Sequence, residues 1–140
     1  MFLPLLKNKI VKNIIIDTNI ILRFLLKDIP SQYEIAESMI LQAKKGKLSL
    51  IIPQIVIFEV AFMLEKQLKV KKKIQVEKIQ TLLSANFLDI QDKTIFSSAI
   101  KLYEKFSLSL PDCFLIAKSQ ITGIPIFTFD KNLAKLSKEL

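Results

Sequence analysis

Residues 13–21 read Asn13-Ile14-Ile15-Ile16-Asp17-Thr18-Asn19-Ile20-Ile21. An unbroken β-branched run predicts a strand, Ile14–Ile16, buried on both faces, because a half-buried strand would alternate apolar with polar. The run stops on an acid, a hydroxyl and an amide. It resumes as Ile20–Leu26, expected as a short helix closed by Asp28-Ile29-Pro30. Asp, Thr and Asn suit helix caps and turns, so DTN has an ordinary structural reading. Its functional reading is a carboxylate, Asp17, fixed at the end of a central strand, with Thr18 and Asn19 supplying oriented hydrogen bonds.

Outward from this stretch, short β-like runs alternate with longer helical patterns. Ser31 and Glu34 form a capping-box pattern, which predicts a helix from Ser31 to about Lys45, before Gly46. Leu48–Ile52 is the next expected strand, and Pro53 suits the first turn of a helix to about Leu68. A helix is expected over Lys71–Ser84, a strand over Phe87–Ile90 and a helix over Thr94–Phe106. Pro111 opens a helix to about Thr122, stopped by Gly123, and Ile124–Phe129 is the last expected strand before a helix over Asp130–Leu140. With only two Gly and no Ser/Pro-rich linker, this order predicts one α/β domain over residues 1–140, its mostly parallel sheet covered by helices on both faces. Ligands of such sheets bind beyond the carboxyl ends of the strands.

Composition narrows the chemistry. One Cys allows no disulfide framework, and Cys113 in an apolar helix reads as a small core residue. With no His, triads built on imidazole and the usual zinc sites are excluded. Catalysis would fall to carboxylates, lysines, hydroxyls or a hard metal ion. The N-terminal MFLPLLKNKIVKN turns from apolar to basic, the reverse of a secretory signal, and no stretch nears the ~18 to 20 apolar residues of a spanning helix. A soluble, cytoplasmic protein is expected. The net charge of +8, from 21 basic against 13 acidic residues, suits an anionic partner, nucleic acid first and a membrane surface second.

Four acids stand out. Asp17 and Asp130 each follow an apolar run, Asp112 follows Pro111 in the first turn of a helix, and Glu59 sits in PQIVIFEVAFMLEK. Asp112 and Asp130 have ordinary accounts as dipole-favoured or capping residues. Glu59 is less ordinary: its helical neighbours Ile55, Val56, Phe62 and Met63 are all apolar. A carboxylate there is expected to be at least partly buried and in need of a cation or hydrogen bonds, unless it lies on a narrow polar stripe. In a parallel α/β sheet all four positions face one edge, where four ionised carboxylates would repel. Mg2+ or Mn2+ is the natural remedy, being a hard ion that takes oxygen ligands, and it acidifies water and polarises phosphoryl oxygens. Setting these four aside leaves nine of the 13 acids against 21 basic residues, an acidic pocket within a positive surface.

Four motifs in order, IIIDTNIILRFLLKD, IPQIVIFEVAFML, LPDCFLIAKSQ and GIPIFTFDKNL, resemble the PIN-domain ribonucleases, most closely the VapC-type toxins of prokaryotic toxin–antitoxin pairs. The resemblance runs from about Val11 to Lys138 and implies a three-layer α/β/α sandwich and a Mg2+- or Mn2+-dependent endoribonuclease. It places the family's acids at Asp17, Glu59, Asp112 and Asp130, with Asp17 and Asp112 foremost as metal ligands. Thr18, Asn19 and Thr128 fall on supporting polar positions. It also implies RNA as substrate, a homodimer and a cognate antitoxin. Arg23 and Lys131, close in sequence to site acids, are candidate phosphate contacts, although most such cations are simply solvated.

Receiver and haloacid-dehalogenase domains also gather aspartates at strand ends. The first needs an adjacent acid pair and the second an Asp two residues after the first, where this chain has Asn19. A PIN-fold module that binds nucleic acid without cutting it, or processes RNA without being a toxin, is the remaining alternative. With no Trp and two Tyr, the composition gives little hint of base-stacking platforms.

Overall fold

The computed structural model describes residues 11–140. Most of the N-terminal segment read above as unlike a secretory signal lies outside them. Three parallel strands form the sheet: β1 (Lys12–Ile15), β2 (Leu48–Ile52) and β3 (Leu88–Ile90). The helices are α1 (Thr18–Leu26), α2 (Pro30–Lys44), α3 (Gln54–Phe62), α4 (Lys72–Ser84), α5 (Lys93–Lys105), α6 (Leu110–Thr122) and α7 (Lys131–Glu139), and a π-helical turn, Met63–Gln67, extends α3. The arrangement is the expected α/β/α sandwich. β2 is central: Ile14 of β1 pairs with Leu50, which pairs on its other side with Leu88 of β3. Helical crossovers link β1 to β2 and β2 to β3, as parallel pairing requires.

The interior is aliphatic around one aromatic knot. Leu22, Ile52, Ile57 and Leu64 are fully buried. Phe58 of α3, Phe96 of α5 and Phe114 of α6 meet with ring centroids 4.9–5.1 Å apart in tilted and edge-on geometries, the arrangement aromatic quadrupoles favour.

Several local expectations give way. The first strand begins two residues early, and only Ile16 is buried, whereas Ile15 is 72 % exposed. Among the described residues β1 pairs with β2 alone, and the exposure of Ile15 leaves one of its faces uncovered. The Ser31–Glu34 capping box is absent: Pro30 occupies the first helical position and starts α2 one residue sooner, with Ile29 as a cap that makes no side-chain bond. Pro53 is the N-cap of α3 rather than part of its first turn, and the expected regular helix to Leu68 ends in the π turn.

The largest departure is Ile124–Phe129, which joins no strand among the described residues. Phe127 and Phe129 are 90 % and 93 % exposed and stack edge-on against each other, 5.6 Å between centroids. Its β-branched and aromatic content favours a strand, but a strand also needs a ladder partner. Gly123 does end α6 as expected, adopting the left-handed conformation (φ 73°) and donating its N–H to the Ser119 carbonyl. Among the described residues no helix is long and apolar enough to cross a membrane.

A second tie joins α4 to α5. The Tyr103 hydroxyl donates to Gln75 Oε1 at 2.6 Å, and Gln75 Nε2 donates to the Val70 carbonyl at 2.6 Å. Both residues are buried, and their polar atoms satisfy each other. Burial, reinforced by the negative charge of Glu65, pushes the Tyr103 phenol up to about 12 from an ordinary 10. The folded state thus favours the neutral phenol, a contribution present below pH 10 and lost as pH rises toward 12.

Two outcomes are expected. Phe96→Ala should cost about 3–5 kcal/mol in urea denaturation, as for large core truncations; a loss under about 1 kcal/mol would show the aromatic knot to be dispensable. In an ultraviolet titration of the phenols, Tyr103→Phe should remove a step near pH 12, and retention of that step would assign it elsewhere.

Candidate active site

Helix starts set Asp17, Asp112 and Asp130, whereas Glu59 lies in the second half of α3. Asp17 follows β1 and is the N-cap of α1, its Oδ1 accepting the Ile20 N–H at 3.1 Å. Its ordinary structural role is therefore real, and it occupies one carboxylate oxygen. Thr18, the first residue of α1, is 6 % exposed, and its hydroxyl donates to Glu59 Oε2 at 2.9 Å. This bond joins the segments that leave β1 and β2, adjacent parallel strands, at their carboxyl ends. Hydrogen bonds to an ionised acceptor are about twice as strong as neutral ones.

Glu59 is exposed, not partly buried. Its neighbours Ile55 and Phe62 are themselves 70 % and 54 % exposed, although Val56 is buried. Glu59 thus lies on a solvent-facing stripe of α3, but that stripe is largely apolar, with Ile55 and Phe62 on either side of the acid.

Asp112 is half-buried in the first turn of α6. Its backbone N–H donates to Ser109 Oγ, the N-cap, at 3.2 Å. Ser-Leu-Pro-Asp over residues 109–112 is itself an S-x-x-D capping pattern, so Ser109 was findable in the sequence although the reading above passes over it. The neighbouring Cys113 is a buried core residue, as expected. Burial pushes its thiol up to about 11; the positive charge of Lys72 opposes that shift and the negative charge of Asp112 adds to it.

Asp130 caps α7, its Oδ1 accepting the Leu133 N–H at 3.0 Å. Thr128 Oγ1 accepts the Asp130 N–H at 3.0 Å, so Thr128 supports the backbone of Asp130 and not its carboxylate. Asn19 and Lys131 are exposed in the first turns of α1 and α7. Arg23 is differently engaged: Nη1 pairs with Asp28 at 3.2 Å, the side chain is 17 % exposed, and its Nε is buried with no partner among the described residues. It holds the end of α1 and offers no free fork to a phosphate.

The structure thus joins Thr18 to Glu59 and places Asp17 beside them, but among the described residues no three acids come close enough to hold one ion. Asp130 follows the segment that does not enter the sheet, so the sheet edge does not position it. The donor chemistry nonetheless fits a hard cation. Asp17, Glu59 and Asp130 each keep one carboxylate oxygen without a hydrogen-bond or ion-pair partner among the described residues, and Asp112 keeps both. Further polar groups, unforeseen from sequence, gather where β2 and β3 end: Gln54 donates its N–H to Gln91 Oε1 at 2.9 Å and its Nε2 to Asp92 Oδ2 at 2.6 Å.

Comparison with known proteins agrees with this architecture. The chain is 28 % identical over 123 residues to a VapC ribonuclease of Aquifex aeolicus (strain VF5), a match covering 87 % of this chain and 90 % of that relative. No solved structure matches it significantly. The family model for the PIN domain matches residues 14–139. By that match, which spans nearly the whole chain, this protein belongs to the PIN-domain family.

Proposed function

We propose that this protein is a metal-dependent endoribonuclease, the toxin of a type II toxin–antitoxin pair. The observation that carries the reading is the Thr18–Glu59 hydrogen bond, which ties two acid-bearing segments together at the carboxyl edge of a PIN-domain sheet. The similarity to a protein named as a VapC ribonuclease supports it.

In this reading Asp17 and Asp112 would hold Mg2+ or Mn2+ through their free oxygens, with Glu59 and Asp130 drawn in to complete the set on binding, since no three acids among the described residues stand close enough beforehand. The ion supplies Lewis acidity, stabilising charge on the scissile phosphate and making water a better nucleophile. Thr18 orients Glu59, leaving its second oxygen free to accept a proton or position water. Asn19 and Thr128 support the surrounding backbone and solvent. Lys131, beside Asp130, meets the substrate backbone, and the surplus of 21 basic residues over 13 acids attracts it. A cognate antitoxin, a second copy of the chain and a cytoplasmic setting complete the proposal.

The test incubates wild type, Asp17→Asn and Asp112→Asn with cellular RNA in Mg2+, in Mn2+ and in chelator. Each substitution should lower metal-dependent cleavage about 100-fold or more, with the fold retained by circular dichroism. Cleavage that survives both substitutions would mark a contaminant. RNA binding without cleavage would favour a binding module. Thr18→Val should lower cleavage about tenfold or more with Thr18→Ser restoring most of it; a fully active Thr18→Val would show that Glu59 needs no such support.

A further inference from the structure

A cleft of about 580 Å3 opens between α3 with its π turn on one side and α4, α5 and the loop into α6 on the other. That volume falls within the ~300–1,000 Å3 typical of small-ligand sites. Three features make it more than a surface dent. Ser109, Leu110 and Pro111 line it, so it reaches the turn that carries Asp112. Phe62, 54 % exposed, presents an aromatic side chain along it. Phe62 is followed directly by the π turn Met63–Gln67, which adds Glu65 and Lys66 to the lining; such turns concentrate at functional sites.

We propose that this cleft seats one nucleotide of single-stranded RNA, its base stacked on Phe62 and its phosphate met by Lys66. The proposal rests on the nuclease reading of Asp112 above.

The charges are suitably disposed. Among the described residues Lys66 is paired only with the adjacent Glu65, at 3.3 Å, and both side chains are well exposed, so the pair is weak and Lys66 can exchange it for a phosphate. Lys72 is already committed: Nζ donates to the Phe106 carbonyl at 2.7 Å and lies 4.5 Å from the centre of the Tyr103 ring. On the floor, Gln75 and Tyr103 satisfy each other. With its deep polar groups occupied, the cleft selects a base by stacking and width more than by hydrogen bonds to its edge. Aromatic stacking of this kind is how single-stranded RNA is commonly gripped.

The probe is a short single-stranded RNA carrying 2-aminopurine, held with chelator so that it is not cut. Wild type should bind it and quench its fluorescence. Phe62→Ala should weaken binding about tenfold or more and restore the fluorescence, while Phe62→Trp retains both binding and quenching. Lys66→Met should lower the slope of log affinity against log salt by about 0.7, one phosphate's share for a single strand. Equal quenching and affinity in wild type and Phe62→Ala, with the fold intact, would overturn the proposal. So would a Phe62→Ala protein that loses self-association in sedimentation but keeps its RNA affinity, since the cleft would then belong to a second copy. Failure of the nuclease reading looks different: RNA stacks on Phe62 as proposed, yet wild type does not cut it in Mg2+ or Mn2+.

Discussion

The contact of Phe58, Phe96 and Phe114 is the constraint on which the rest of the molecule depends. These rings join α3 to the consecutive helices α5 and α6, which lie beyond α4 and β3 in the chain, and aromatic pairs add about 0.5–1.5 kcal/mol each beyond their burial. Phe58 precedes Glu59, and Phe114 lies two residues after Asp112. The packing of the core therefore sets where two acids stand on the surface. A close-packed interior transmits such positions rigidly, so a polar site can be placed by wholly apolar contacts.

Around that frame three of the acids are fixed by structural hydrogen bonds. Asp17 and Asp130 satisfy the orphan N–H groups at helix starts with one oxygen each, and Thr18 satisfies one oxygen of Glu59. Each oxygen so used fixes the orientation of the other. The proposed chemistry thus draws on groups that local structure has already aligned, which lowers the cost of ordering them. The surplus of 21 basic residues over 13 acids gives the chain a net positive long-range field.

Comparison of particular elements shows where sequence patterns mislead. Ser31–Glu34 and Ser109–Asp112 are equivalent as strings. Only Ser109 caps its helix, because Pro30 starts α2 early while Pro111, at the second helical position, leaves Ser109 in the cap. The apolar neighbours of Glu59 suggest burial, but Ile55 and Phe62 face water. Composition gives little hint of an exposed aromatic at a cleft, and Phe62 stands there only through the fold.

The sequence by itself determined the α/β order, nearly every helix and the parallel pairing of the sheet. These follow from local periodicity, turn chemistry and motif spacing, all short-range properties. Tertiary structure alone decided that, among the described residues, β1 pairs with β2 alone and Ile124–Phe129 finds no ladder partner, and that Thr18 reaches Glu59 across 41 residues. Each depends on which segments meet in space, and partners so far apart in sequence leave no periodic trace in the chain.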